Sequence, residues 1–218
     1  MNVLALETSG RVITIALQYE TQYFETLIDA GFRHAETLMP GVDALLSQAN
    51  MKAQELDLVV VSAGPGSFTG IRIGMATAKG IARGAQCPVK SVPTLPLLAA
   101  QREHWPGIVM PIMDARKKRV YAAAFQEGKR IVDDVDVDLK EFLKQLPANQ
   151  PILATGPDAQ VAAEFNHVVI DPMHASARGR ALIRMGCSAF ETEGADAPDS
   201  HPIYLRLSEA EEALGKQA

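Results

Sequence analysis

Three features of this 218-residue chain combine residue types and spacing that bear on chemistry: a glycine-rich loop, a histidine beside an acid, and two acidic turns. The loop is Gly64-Pro65-Gly66-Ser67-Phe68-Thr69-Gly70, between a β-branched run and a helical stretch. Free backbone N–H groups in such a loop can cradle a phosphate. The spacing does not fit that use. A P-loop needs Gly-Lys-Ser/Thr after four intervening residues, but Thr69 stands five after Gly64 and no lysine follows it. A dinucleotide fingerprint likewise wants glycine where Thr69 stands. The glycines read instead as a tight turn with close helix packing.

His34-Ala35-Glu36 opens like a zinc deaminase signature, but the downstream Pro-Cys-x-x-Cys that the signature requires is absent from the sequence. A helical two-histidine metal site would place its second ligand at Leu38. No metal site is expected, and His104, His167, His174 and His201 are scattered without ligand spacing. Ser67 has Pro65 and Thr69 two residues away on either side, so it is not a nucleophile elbow. Cys87 and Cys187 are far apart and read as plain buried thiols. No catalytic residue is assigned.

With 47% hydrophobic and 22% charged residues, the chain can bury a substantial core. Its net charge of −5 and pI near 5.6 argue against a stand-alone nucleic-acid binder. Any RNA contact is expected to be shared with a partner. Residues 1–10 contain no basic stretch followed by a cleavable apolar segment, and no apolar run is long enough to cross a bilayer. The expectation is a cytoplasmic protein with no membrane partner.

The elements that must position these residues follow from period and punctuation. Runs at 2–6 and 12–17 around the turn Glu7-Thr8-Ser9-Gly10-Arg11 predict a hairpin, with a third strand over 23–27. Apolar residues at steps of three and four predict a helix over 34–50, bent or restarted at Pro40. A strand over 58–61, buried on both faces, leads through the glycine loop into a helix over 69–83. Prolines 88, 93, 96 and 106 and a short helix over 94–104 mark a boundary between a lobe at 1–104 and a second at 105–218.

The second half then starts over. Strands at 108–113 and 120–125 flank Asp114-Ala115-Arg116-Lys117-Lys118-Arg119, so Asp114 stands where Glu7 stood. Further strands are predicted at 130–135, 151–154 and 167–170, with helices at 139–146, 157–165 and 177–191. Hairpins are common and acids favour turns, so the repeat alone does not establish duplication. Strands followed by strand–helix alternation predict an α/β protein of two lobes.

On the helix over 69–83, Gly70, Gly74 and Ala78 fall four apart and lay a strip of near-bare backbone along one face. Arg72, Lys79 and Arg83 form a cationic stripe on the same helix. That stripe reads either as a solvated face or as a site for a partner's acids.

Four segments together resemble the TsaB (YeaZ) family: Leu4-Ala5-Leu6-Glu7-Thr8-Ser9, the run from Ser62 to Gly74, Asp114-Ala115-Arg116 with Val120-Tyr121, and Tyr204-Leu205-Arg206. The resemblance spans nearly the whole chain. It implies an actin-like, sugar-kinase-like fold of two duplicated lobes whose acidic turns face each other across a cleft. It implies a non-catalytic subunit in tRNA threonylcarbamoyladenosine synthesis, partnered by the transferase TsaD and the ATPase TsaE, with a homodimer competing for the TsaD surface. TsaD carries its metal on a helix with two histidines four apart; here that helix offers His34 and then Leu38. The interface is expected to use His34, Leu38, Val42, Leu45, Gly70, Arg72, Gly74 and Ala78. A large residue at Gly74 is then expected to separate the complex and leave the monomer folded. No resident cofactor is implied, and tRNA is met only through the complex.

A rival reading makes the chain an actin-fold ATPase or small-molecule kinase holding ATP or ADP, at least weakly, at Glu7, Thr8, Ser9, Gly10 and Asp114. Against it, the first turn has Glu where kinases of this fold place Asp, and the second has no glycine to let backbone approach a phosphate. A peptidase lacks both nucleophile elbow and metal site.

Overall fold

A computed structural model of the chain describes residues 1–31, 33–173 and 178–206. The first half runs β1 (Val3–Glu7), β2 (Val12–Tyr19), β3 (Gln22–Asp29), α1 (His34–Gln48), β4 (Leu58–Gly64), α2 (Phe68–Ala85), β5 (Val89–Pro93) and α3 (Thr94–Ala100). The second runs β6 (Ile108–Asp114), β7 (Val120–Gln126), β8 (Lys129–Val137), α4 (Leu139–Leu143), β9 (Ile152–Thr155), a 3-10 turn (Ala159–Ala162), β10 (Val168–Ile170) and α5 (Gly179–Glu193). Each half forms one five-stranded sheet, in the orders β3-β2-β1-β4-β5 and β8-β7-β6-β9-β10. In both, the first three strands pair antiparallel, and the first, fourth and fifth pair parallel. The repeat suspected from Glu7 and Asp114 therefore extends to strand order and direction.

Period-two alternation divides each strand between two cores. Leu4, Leu6, Val59 and Val61 pack with Leu38, Val42 and Leu45 of α1 and Met75, Ala78 and Ala82 of α2. Val3, Ala5, Leu58 and Val60 point the other way, onto Leu182 and Ile183 of α5. Covered on both faces, β4 reads as the uninterrupted apolar run that the sequence shows. The second sheet repeats the device, with Ile108, Met110 and Ile112 on Phe142, Ala159 and Ala162, and Val109 and Met113 on Leu95 and Leu98 of α3.

The helices that end the two halves pack across the division expected at residue 104. The helix α3 lies between the sheets, against β6 and β7 on one side and β4 and β5 on the other, while α5 crosses back onto β1, β2, β4 and β5. Residues 179–193 thus pack on the first sheet, where Leu182 and Ile183 cover its second apolar face together with Leu97 of α3. Residues 207–218 of the expected second lobe, and Ala177 at the start of the expected last helix, lie outside the described residues. The helix expected over 157–165 shrinks to the 3-10 turn, which offers only Ala159 and Ala162 for burial, too little to offset helix nucleation. Pro40 neither ends nor restarts α1, which runs through it; the prolyl ring sits on the exposed side.

Candidate functional site

Glu7 ends β1 inside the protein, fully buried. One carboxylate oxygen accepts from the Ser9 backbone N–H at 2.7 Å and from the Ser9 hydroxyl. The other accepts from Arg178 Nη1 at 2.6 Å, and that arginine is buried too. Thr8 N–H donates to Ser62 Oγ on β4 at 3.2 Å. The Gly10 carbonyl accepts from His34 Nε2 at 2.8 Å, which places the proton of that nitrogen in the bond and fixes His34 as the pin between the first turn and α1.

The glycine loop closes over this turn. Ser67 N–H donates to Ser9 O at 2.7 Å, Gly64 N–H to Thr94 Oγ1 at 3.1 Å, and Gly70 N–H to Ser67 Oγ at 3.2 Å. Donors that a phosphate cradle would aim at its ligand are thus engaged within the chain. A Cβ at Gly66 would stand 2.5 Å from Ser9 O, and one at Gly64, where φ is +104°, 2.6 Å from Ile203 O. Close approach, as the spacing suggested, is what these glycines permit.

Asp114, by contrast, is exposed at the end of β6. Its Oδ1 accepts from Arg116 N–H at 2.7 Å, and its own N–H donates to Asp158 Oδ2 at 2.8 Å. The first turn reaches the same dipeptide, since a Cβ at Gly10 would lie 3.7 Å from Pro157. Both acidic turns therefore meet Pro157-Asp158. The absence of glycine does not keep the second turn out of left-handed backbone: Arg116, Lys117 and Lys118 have φ of 61°, 54° and 61°.

A second clasp joins α3 to the far end of the second sheet. Asp171, buried, accepts from Thr155 Oγ1 at 2.7 Å, Met173 N–H at 2.9 Å and Arg102 Nε at 2.7 Å. Burial pushes its carboxyl up, but the Thr155 and Met173 hydrogen bonds and the Arg102 guanidinium outweigh that and hold it below the ordinary carboxylate range. A depressed folded value means stability present above the unfolded carboxylate pKa of about 4 and lost as pH falls through the folded value. In thermal melts Asp171→Asn is expected to cost stability at pH 7, with the gap to wild type closing below about pH 4. A gap constant across that range would contradict this.

The residues expected at a partner interface are placed differently. Leu38, Val42 and Leu45 are each 1% exposed and lie in the first core with Ala78. Gly70 and Gly74 press on the first acidic turn: their Cβ atoms would stand 2.3 Å from Thr8 O and 2.0 Å from Thr8 Oγ1. These residues build the lobe, because the apolar stripe of a surface helix faces its own sheet. His34 is buried as well. Arg72 is exposed, but its guanidinium lies 3.8 Å over the Phe68 ring and its Nε donates to Tyr204 Oη at 2.7 Å. Lys79 Nζ donates to Pro198 O at 2.9 Å and to Ser200 O. Two members of the cationic stripe thus hold the chain's own 198–204 segment.

That segment is the part of the site that sequence reasoning missed. Ile203 N–H donates to Ala63 O at 2.7 Å, and Tyr204 packs on Phe68 with ring centroids 5.1 Å apart. Arg206 then reaches the other lobe, forking onto Asp136 at 2.6 and 2.9 Å and donating to Ala115 O at 2.8 Å. Tyr204-Leu205-Arg206 is a strap from β4 and α2 to the β6–β7 turn. Left on the outer face of α2 is a different small-residue strip, Ala76, Gly80 and Gly84, with nothing within 4 Å of a Cβ at either glycine.

Two duplicated α/β lobes with an acid ending the first strand of each define an actin-like protein. Residues 29–197 match the family model described as TsaD, tRNA N6-adenosine threonylcarbamoyltransferase. The chain is 34% identical to the Bacillus subtilis tRNA threonylcarbamoyladenosine biosynthesis protein TsaB, covering 97% of this chain and 96% of that one. YeaZ from Pseudomonas aeruginosa superposes with a TM-score of 0.77 at 26% identity, over 94% of this chain and 99% of its own. A Bacteroides thetaiotaomicron protein of actin-like ATPase fold shares the architecture alone, with a TM-score of 0.50 at 11% identity over 84% and 95% of the two chains. The chain belongs to the TsaB (YeaZ) family. Among the described residues, no helix is long and apolar enough to cross a membrane.

Proposed function

We propose that this protein is a non-catalytic subunit of tRNA threonylcarbamoyladenosine synthesis that binds the transferase TsaD and enables its transfer to the adenosine 3′ of the anticodon. The observation that carries this reading is the sealed first turn. A magnesium nucleotide would need the Glu7 oxygens and the N–H groups around them. Those oxygens hold Arg178 and Ser9, and the Ser67 N–H holds Ser9 O. Likewise, the single histidine of α1 is bonded to Gly10 O, and the position four residues on is the core residue Leu38.

What remains for function is contact. The outer faces of α1 and α2, with Met39 41% exposed and the Ala76, Gly80, Gly84 strip bare, suit close packing by helices of TsaD or of a second copy. TsaE docks on the assembled pair in this scheme, and no cofactor resides in the chain. Light scattering with purified TsaD is expected to give a stoichiometric complex, and calorimetry with Mg-ATP little or no binding by this chain alone. Tight ATP binding with turnover by the isolated chain would overturn the proposal in favour of a kinase or ATPase. Gly80→Leu is expected to weaken the TsaD complex at least tenfold without lowering the melting temperature, since nothing surrounds that Cβ and leucine favours helix. An undiminished complex would remove this face from the interface.

A further inference from the structure

Between the two sheets the chain crosses at residues 101–107 and again after Asp171, and these crossings are bound side by side by Arg102 Nε on Asp171 Oδ2 at 2.7 Å. Apolar packing reinforces the join. Leu97 of α3 lies with Val3, Val60 and Val92 of the first sheet, while Leu95 and Leu98 lie with Val109, Met113 and Phe125 of the second. Asp171 follows β10, which is one edge of the second sheet. The opposite edge, β8, is reached by the strap, whose hold on it is noncovalent and polar. On the first lobe the strap is fixed by Ile203 N–H on Ala63 O and by Tyr204 Oη, which accepts from Arg72 Nε, each at 2.7 Å. On the second lobe Arg206 donates to both carboxylate oxygens of Asp136, at 2.6 and 2.9 Å, and to the Ala115 carbonyl at 2.8 Å.

We propose that the strap is a latch: the paired crossings beside α3 form a hinge between the lobes, and Arg206 on Asp136 is the catch that holds the second sheet closed over the two acidic turns. Rotation about a hinge is absorbed by a few residues at the ends of elements, so α3 can keep its apolar contacts while the far edge swings. The bonds of Arg206 cannot survive that swing. They are built to hold, since a guanidinium fork grips both oxygens of a carboxylate and the two side chains are only 19% and 10% exposed, where salt screens them little. They are also built to release. Losing Arg178 would strand Glu7, but losing Arg206 leaves Asp136 paired with Arg119 at 2.7 Å, so opening does not bury an unpaired charge. The strap's two attachments stand beside Gly64 and Asp114, at Ala63 and Ala115. A segment of the chain itself thus bridges the lobes where a ligand between the acidic turns would have to bridge them.

The latch is a property of the chain itself, and its test needs no partner. Spin labels are placed at Gln48→Cys and Lys140→Cys, exposed positions on helices of the two lobes, after Cys87→Ala and Cys187→Ala, and their separation is measured by pulsed electron resonance. Arg206→Ala removes the catch. Asp136→Asn keeps its shape and removes its charge. Each is expected to raise the ratio of longer to shorter separations about tenfold or more, the effect of losing hydrogen bonds to a charged group. Arg119→Ala takes a partner from the same carboxylate without touching the strap, and is expected to leave the ratio as it is in wild type. Thermal melts establish which variants are folded, and either catch variant alone decides the outcome. A separation unchanged from wild type overturns the latch and leaves α3 as the join that sets the angle between the lobes. An equal rise in Arg119→Ala also overturns it, because the carboxylate of β8, and not the strap, would then control the lobes.

Discussion

Arg178→Ala is expected to lower stability by about 3–5 kcal/mol, much of the roughly 5–15 kcal/mol that holds a domain of this kind together. Glu7 is fully buried, Arg178 is nearly so, and their contact is 2.6 Å. Truncating the arginine strands a carboxylate where water cannot reach it, with only the two Ser9 donors left among its described partners. The charge pair is not itself expected to be a large net stabiliser, because desolvating two ions offsets most of their attraction. Glu7→Gln with Arg178→Met should therefore recover most of the loss. Urea unfolding of the two variants beside wild type tests this, and a double variant no better than Arg178→Ala would show that the arginine acts through something other than Glu7. The effect reaches beyond one pair. Arg178 leads directly into α5, which covers the second face of the first sheet, so the pair ties the crossover helix to the first acidic turn.

Much of the fold was legible because its signals are local. The β-branched run at Leu58–Val61, the three-and-four spacing from Ala35 to Ala49 and the recurrence of strand, acidic turn and strand each announce an element in one short window. What was not legible depends on faces and on distance. Gly70, Gly74 and Ala78 and the strip Ala76, Gly80 and Gly84 share a four-residue period on one helix, and only burial says which strip meets the sheet. The packing of α5 on the first sheet was not legible, because a helix that crosses over looks, in sequence, like the end of the half it leaves. Arg178 lies 171 residues from Glu7, and no spacing rule joins them. The cationic stripe carried a signal, since it was regular, but its partner is a loop about 120 residues on. The conformation of the second turn carries no sequence signal: Arg116, Lys117 and Lys118 are left-handed although none is Gly, Asn or Asp.

The same ambiguity of faces sets up the other large effect, because it reverses the outcome expected for Gly74. If Gly74 lay on a partner seam, a bulky residue there would separate the complex and spare the monomer. Packed as it is, a Cβ at this position would stand 2.0 Å from Thr8 Oγ1 and 3.1 Å from Thr8 Cβ and Cγ2. Thr8 cannot give way easily, since its N–H is bonded to Ser62, its neighbours Glu7 and Ser9 are bonded to each other, and Gly70 presses on its carbonyl. Gly74→Val is therefore expected to destabilise the monomer by about 2–3 kcal/mol, in the range of overpacked cores, and to lower the melting temperature by roughly 5–10 °C. Gly80→Val, two turns along the same helix with the same cost in propensity, should stay within about 1 kcal/mol of wild type. The pair isolates packing from helix propensity. Thr8→Ala removes the atom in the closest clash, so it should recover part of the Gly74→Val loss, and a double-mutant cycle would read that coupling directly. Equal melting temperatures for the two valine variants would return Gly74 to the outer face and the seam to its first assignment. A large gap closed in part by Thr8→Ala makes Gly74 the position where α2 is fitted to the sealed turn, so loss of the partner in that variant would follow from loss of the lobe.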